Sequence, residues 1–592
     1  MIVPSRQRMV PVTFNDFAGW LHPAAGKHGV LLCGPLNHEI LPFYQSWHVL
    51  AAMIADAGLP SLRFDYHGTG DSLGHDREPR RVDAWLGSVR AAARFMRNEL
   101  GMETLDLVGM RLGATLGALV APEIGIDRLV AIAPVVSGRT YIRESQARSK
   151  MLAGMWRLGA EARGDIANDG FVIMGETAAA ITRLDLTAVT DKPAGETLII
   201  AERPASLEKL AKSFAAFGCS VERMDFQGFG NSQDSATLAK IPLEDWRAIA
   251  SYLVKGREAA SCAPIPPKSA VLRAQAFCEE RLIFGKEDRL AGVLCRPHAG
   301  KPAATVLFLN TGGNPHLGWG RMSVEHARAL AASGIASLRM DIAGLGDAVT
   351  LQGSPRIALY REESVADIRE ALDLLEARGL ANVTIIGHCS GAWLALNSAL
   401  ADVRIRGLFL VNLQRFIWTG KENLEALMAQ AYRATDSYLQ EIGSGAIWQR
   451  LRKRDINWPR LPGIARAVVR RGVAQLGTRI WPVFAPLLGV DTESARISAM
   501  MRQLSARGTG TLLVYSDTDP GREELARHFG PSGRRLRLPG IRIATIANAD
   551  HDITSDEARR DYFVLLSDHL ACEPHPRADV ISYRPAAIAE AA

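Results

Sequence analysis

The clearest hydrophobic pattern lies in the second half of the chain. TVLFLN (305–310) is a continuous apolar run, the pattern of a strand buried on both faces. MSVEHARALAASG (322–334) follows with apolar residues at helical spacing and a terminal glycine, and IASLRMD (335–341) reads as the next strand. SVADIREALDLLEARG (364–379) is an amphipathic helix, NVTIIG (382–387) a strand, and a further helix opens at Cys389. Strand and helix in strict alternation predict an α/β fold, with a mostly parallel sheet and helices on both faces.

The same elements occur twice. PSLRFDYHGTGDS (60–72) returns as ASLRMDIAGLGDA (336–348), LDLVGMRLGA (105–114) as VTIIGHCSGA (383–392), and GVLLCGPLNHE (29–39) as TVLFLNTGGNPH (305–316). The offset stays at 276 to 278 residues, far above the period of a solenoid, so the copies are tandem domains. GREAASCAPIPPKSA (256–270) has no apolar periodicity and reads as the connection. The expected organisation is a first domain over 1–258, a linker over 259–270, a second domain over 271–575 and a tail over 576–592. About ninety residues separate the strand IRGLFLVN (405–412) from the next strand, far more than a connection requires, and a helical cap is expected over about 414–505.

Length agrees with this division, since 592 residues exceed what one core serves. Seven cysteines, an odd number without paired spacing, favour reduced thiols and a cytoplasmic location. No signal peptide is recognised at the N-terminus, and no apolar run reaches membrane-span length. The net charge of +6 is mild, and no nucleic-acid partner is expected. Charge is concentrated between Arg450 and Arg479, where nine Lys or Arg face one acid, Asp455. That stretch is either a solvated helix face or a patch for an anionic partner.

GHCSG (387–391) has the outline of a nucleophile elbow, in which Gly387 and Gly391 flank a strained central residue lifted clear of the sheet. The central residue is Cys389, set at a helix N-terminus where a thiolate is favoured. Reading Ser390 as the nucleophile instead would lose both flanking glycines. The pattern resembles the α/β-hydrolase superfamily over both halves. The RxDxxGxGD segments resemble its serine aminopeptidase-like branch, and cysteine at the elbow is similar to dienelactone hydrolases, polyhydroxyalkanoate synthases and bile-acid acyltransferases.

The resemblance implies an acid and then a histidine downstream, each at its own strand end. Asp519 falls on the acid position in GTGTLLVYSDTDPGREEL (508–525), with Asp517 as runner-up, and His551 on the histidine position in the loop before the last helix. His551 would take the thiol proton, Asp519 would orient the imidazole, and the backbone N–H groups of Ser390 and Gly312 would form an oxyanion hole, the second uncertain by one residue. In the first copy Arg111 stands at the elbow, the acid strand ETLIIAERPAS (196–206) offers Glu202 and no GxxD, and 221–238 has no histidine, so this copy reads as catalytically silent. Arg111 is expected to pair with Glu202 or Asp65; the alternative is a carboxylate or phosphate of a ligand.

The expected reaction is hydrolysis of an ester or thioester through an acyl-cysteine. The alternative is transfer of the acyl group to an acceptor other than water. The apolar, basic cap suits an acyl chain carried on coenzyme A or a phosphopantetheine carrier, or peripheral contact with an anionic membrane. The first half also looks like hydrolases associated with bacterial exopolysaccharide export, which points to lipid or exopolysaccharide maturation. A non-catalytic scaffold made of two silent copies is the reading from another class. No metal-ligand cluster or dinucleotide-binding glycine signature is present in the sequence, so no cofactor is expected; the oligomeric state is left open.

Overall fold

Alternate residues along the strands of the N-terminal half enter two different cores. Leu31, Leu107, Leu129 and Ile199 join one cluster, while Val30, Leu32, Val108, Val130, Leu198 and Ile200 join another. Successive side chains on a strand point to opposite faces, so a strand with apolar residues at every position needs cover on both. Helices Arg81–Asn98 and Leu112–Ile124 supply one cover, and Ile40–Asp56 and Leu243–Val254 the other.

A computed structural model describes residues 9–156, 164–203, 207–232, 235–257, 270–348, 359–420, 492–571 and 580–582. Most of the expected linker, the basic stretch from Arg450 to Arg479, most of the expected cap and most of the tail lie outside the described residues. By internal packing the chain divides into two units, residues 1–381 and 382–592. Among the described residues no helix is long and apolar enough to cross a membrane.

The first unit holds strands β1 (Val10–Phe14), β2 (Phe17–His22), β3 (His28–Cys33), β4 (Ser61–Phe64), β5 (Thr104–Met110), β6 (Arg128–Ile132), β7 (Ile166–Asn168), β8 (Phe171–Ile173), β9 (Glu196–Ala201) and β10 (Ser220–Asp225). Eight of them form a sheet in the order β1-β2-β4-β3-β5-β6-β9-β10, and β7 with β8 forms a separate ribbon. Strands β11 (Val271–Arg273), β12 (Phe277–Phe284), β13 (Leu290–Pro297), β14 (Thr305–Phe308) and β15 (Ala336–Asp341) follow in the same unit. Antiparallel β12-β13 and β13-β15 and parallel β15-β14 repeat the pairing of β1-β2-β4-β3. The second unit holds β16 (Val383–His388), β17 (Ile405–Val411), β18 (Gly510–Ser516), β19 (Ile541–Ile546) and β20 (Val580–Ser582), all parallel in that order. The order β16-β17-β18-β19 repeats β5-β6-β9-β10, so the tandem α/β architecture is present in the strands themselves. Of the expected cap, residues 414–420 and 492–505 are described, the latter almost wholly within helix Glu493–Ala506.

Within the first unit the two copies of the RxDxxGxGD segment exchange partners. Arg63 Nη2 lies 2.9 Å from Asp347, and Arg339 Nη1 lies 2.6 Å from Asp71. In each copy the first aspartate turns inward and accepts the backbone N–H of the last, Asp65 from Asp71 and Asp341 from Asp347, both at 2.9 Å. His316 sits between the copies, with its ring nitrogens 2.7 Å from Asp341 and 3.0 Å from Asp71. Burial opposes the charge on His316, but the two carboxylates outweigh it and lift the imidazole to about 10. Burial likewise pushes Asp71 up, yet Arg339, His316 and Arg281 hold its carboxyl well below the usual range.

Charges this deeply buried are tolerable only when each has its partner. Arg339, with no exposed surface, bridges Asp71 and Glu279. Replacing it in Arg339→Met is expected to lower the unfolding free energy by about 3–5 kcal/mol. Urea denaturation checks this, and a loss under about 1 kcal/mol would mean that the exchanged pairs are not what joins the copies.

Candidate active site

Strand β16 runs into helix Ser390–Ala401 through a single residue, Cys389, at φ 56° and ψ −115°. A non-glycine residue there is strained by about 1–3 kcal/mol and persists only where its surroundings hold it. The Cys389 N–H is held by the Val411 carbonyl at 2.9 Å. A side chain on Gly387 would collide with the Gly391 carbonyl, which is why the turn needs that glycine. Cys389 is partly exposed, whereas the other described cysteines, 33, 219, 278 and 295, are buried. Ser390 opens the helix and is itself buried.

The loop after β18 carries Asp519, and the loop after β19 carries His551. His551 Nδ1 lies 2.5 Å from Asp519 Oδ2, and Cys389 stands beside the same ring. Asp519 is fixed in turn by the Gly521 N–H on its other oxygen, at 2.7 Å. Asp517, the runner-up, instead accepts the Asn548 N–H at 3.0 Å. The structure thus brings Cys389, His551 and Asp519 together, each from the end of a different parallel strand. Gly312, at φ 54°, belongs to the first unit.

Burial disfavours a charge on His551, but Asp519 and Cys389 outweigh it and hold the imidazole well above its ordinary value of 6.5. The charged ring therefore contributes stability that is fully present below pH 6.5 and is lost as pH rises through the higher folded value.

Sequence reasoning missed the groups that hold the histidine loop. The His551 carbonyl accepts from His388 Nε2 at 2.6 Å and from Asn412 Nδ2 at 2.7 Å. Burial, and then the neighbouring His551, push His388 down to about 3, so it stays neutral and presents an Nε2–H to that carbonyl. Asn412 also accepts the Ser516 N–H at 2.8 Å, and Ser516 Oγ donates to the Asp550 carbonyl at 2.7 Å. Thr554 donates twice to the Asp550 carboxylate, and the Ser555 hydroxyl accepts the Ala558 N–H at the start of the last helix. A signal was available, since His388, Asn412 and Ser516 all stand at or next to strand ends. His388, His551 and Asp552 place donor atoms within 4.8 Å of one another, but His388 Nε2 and His551 Nδ1 are committed to the carbonyl and to Asp519.

The elbow of the first copy has nearly the same backbone, with Arg111 at φ 54° and ψ −126° and its N–H on the Ile132 carbonyl at 3.0 Å. Its guanidinium pairs with Glu39, Nε to Oε1 at 2.7 Å, and not with Glu202 or Asp65 as expected. Asp65 is taken by Arg281 at 3.0 Å, whereas Glu39 follows β3 closely enough to reach the elbow.

Residues 306–563 match the family described as Alpha/beta hydrolase family. Over these residues the chain is of the α/β-hydrolase superfamily. The matched part includes Gly312, Cys389, Asp519 and His551. No curated protein matches the chain. Similar solved structures include Est1E from Butyrivibrio proteoclasticus with ferulic acid bound, at 14% identity over 42% of this chain and 98% of that one, with a TM-score of 0.31. XC6422 from Xanthomonas campestris, a serine hydrolase without a lid, is 16% identical over 42% of this chain and 94% of that one, with a TM-score of 0.27. The Pyrococcus furiosus esterase PF2001 is 14% identical over 42% and 89%, with a TM-score of 0.29.

Exchanging Asp519 for Asn removes the carboxylate that sustains the imidazolium. The His551 titration, followed by NMR on histidine-labelled protein, is expected to move down toward about 6.5. An unmoved titration would show that Asp519 does not set the charge of the ring.

Proposed function

We propose that this α/β-hydrolase cleaves carboxylic esters or thioesters through an acyl-cysteine at Cys389. The observation that carries the reading is His551, bonded to Asp519 and standing beside Cys389, with its proton affinity raised by both. The imidazole stands where it can take the thiol proton, and the sulfur stands at a helix N-terminus.

In the first step the Cys389 sulfur adds to the acyl carbonyl carbon, and the carbonyl oxygen becomes an oxyanion. The Ser390 N–H, at the start of the helix, receives that charge. Collapse breaks the bond to the leaving oxygen or sulfur, which takes its proton from His551. Water then attacks the thioester while His551 accepts a proton from it. The second tetrahedral species releases the carboxylic acid and restores the thiol. Asp519 keeps the ring in the tautomer that both proton transfers need.

Intact-protein mass spectrometry after mixing with p-nitrophenyl esters of short acyl groups tests this. The wild type is expected to gain one acyl mass, removable by hydroxylamine and mapped to Cys389. Cys389→Ala is expected to lose the adduct and at least about 1,000-fold in turnover. An adduct or turnover retained by Cys389→Ala would falsify the proposal.

A further inference from the structure

Helix Gly521–Phe529 opens on the residue that steadies Asp519, and helix Glu493–Ala506 packs against it within the second unit. Glu524 and His528 stand at i and i+4 on the first of these helices and so share a face. Glu493 and Ser494 stand in the first turn of the other. Only about 1% of the Glu524 and His528 side chains is exposed, whereas Glu493 is an exposed residue.

The bonds around the buried pair leave one atom of each residue over. Glu524 Oε2 accepts from Arg527 Nη1 at 2.8 Å and from Arg415 Nη1 at 3.3 Å. His528 Nδ1 lies 2.9 Å from the Ser494 hydroxyl, and Phe416 meets the ring at right angles. Glu524 Oε1 and His528 Nε2 are buried, and among the described residues neither has a hydrogen-bond partner. They lie 3.5 Å apart, too far for a good hydrogen bond. A Glu493 carboxylate oxygen comes within 4.8 Å of both. Burial pushes Glu524 up, but His528, Arg527 and Arg415 outweigh it and hold the carboxyl below its ordinary value.

A charged oxygen and an imidazole nitrogen buried without partners are costly. Their separation is the one that a metal ion sets between its ligands. At zinc bond lengths of about 2.0–2.2 Å, two ligands of a tetrahedral centre stand about 3.4 Å apart. Ser494 fits the companion role, because a hydroxyl that accepts the Nδ1–H leaves the lone pair on Nε2. The two arginines draw on Glu524 through its other oxygen, so Glu493 supplies the unshared negative charge that a dication needs.

We propose that Glu493, Glu524 and His528 form a binding site for a divalent transition-metal ion of the zinc class. One imidazole and two carboxylates suit zinc, and three protein ligands leave its fourth position to water. The ion pins the first turn of the helix that ends the expected cap to the helix whose Gly521 N–H holds Asp519. The site shares no residue with Cys389, His551 and Asp519, so the inference stands apart from the acyl-cysteine reading.

The test titrates zinc sulfate into full-length protein against a chromophoric chelator, in a Cys389→Ala background that removes a competing thiolate. The protein is expected to hold one zinc ion whose affinity falls at least about ten-fold on adding Glu493→Gln. A hundred-fold excess of zinc over Kd is expected to raise the unfolding temperature by about 3 °C or more, and Glu493→Gln to lose that gain. In EDTA the two proteins are expected to unfold at the same temperature, since Glu493 is exposed. His528→Gln is expected to lose the same ion; if it does not fold, Glu493→Gln decides alone. No zinc held, or zinc held and stabilising equally in Glu493→Gln, overturns the proposal. So does a lower unfolding temperature of Glu493→Gln in EDTA at unchanged zinc affinity, which would mark a structural role alone.

Discussion

The exchange of buried charge between the repeats is the constraint on which the first unit depends. Arg63 finds its carboxylate in Asp347, and Arg339 finds its own in Asp71. Arg63 has its carboxylate in the other repeat, and Arg339 shares Asp71 of the other repeat with Glu279 of its own, because an arginine in a dry interior keeps its proton and needs counter-charge. His316 adds to this dependence, since its imidazolium is held by one aspartate from each repeat. The first repeat thus supplies a carboxylate to the buried charges of the second. The same contacts carry structure into the loop that holds Gly312, for His316 is both the end of that loop and a member of the charge cluster.

The two elbows separate geometry from chemistry. Cys389 and Arg111 occupy almost the same backbone conformation, each fixed through its N–H to the neighbouring strand. What differs is the company. Around Cys389 stand a histidine with a raised proton affinity and an aspartate that sustains it. Around Arg111 stands Glu39, which neutralises the guanidinium and closes the position. The strain of the turn is a property of the fold, and reactivity is added by the residues that the neighbouring strand ends bring to it.

Much of this was legible in the sequence. Continuous apolar runs marked the strands, and the repeat offset revealed two copies, because parallel strands buried on both faces leave a strong pattern. Cys389, Asp519 and His551 could be picked out because each follows an identifiable strand. Asp71 and His388 could not. Their roles depend on contacts across 245 and 163 residues of chain, and no local pattern reports such distances. Arg111 shows the same limit, since an ion pair with Glu39, 72 residues away, depends on where a loop turns and not on charge alone. The division by packing at residue 381 was not legible either. The sequence marks where the repeat begins, whereas packing follows the contacts that tie β11 to β15 to the first repeat.

The central claim is that His551 activates Cys389. It is tested most directly by the rate of Cys389 alkylation with chloroacetamide between pH 5 and 9, in the wild type and in His551→Gln. The account predicts a wild-type rate that stays high through the acidic half of the range, and a His551→Gln rate that falls away there as an ordinary thiol near pKa 8.5 does. Superimposable profiles would contradict it.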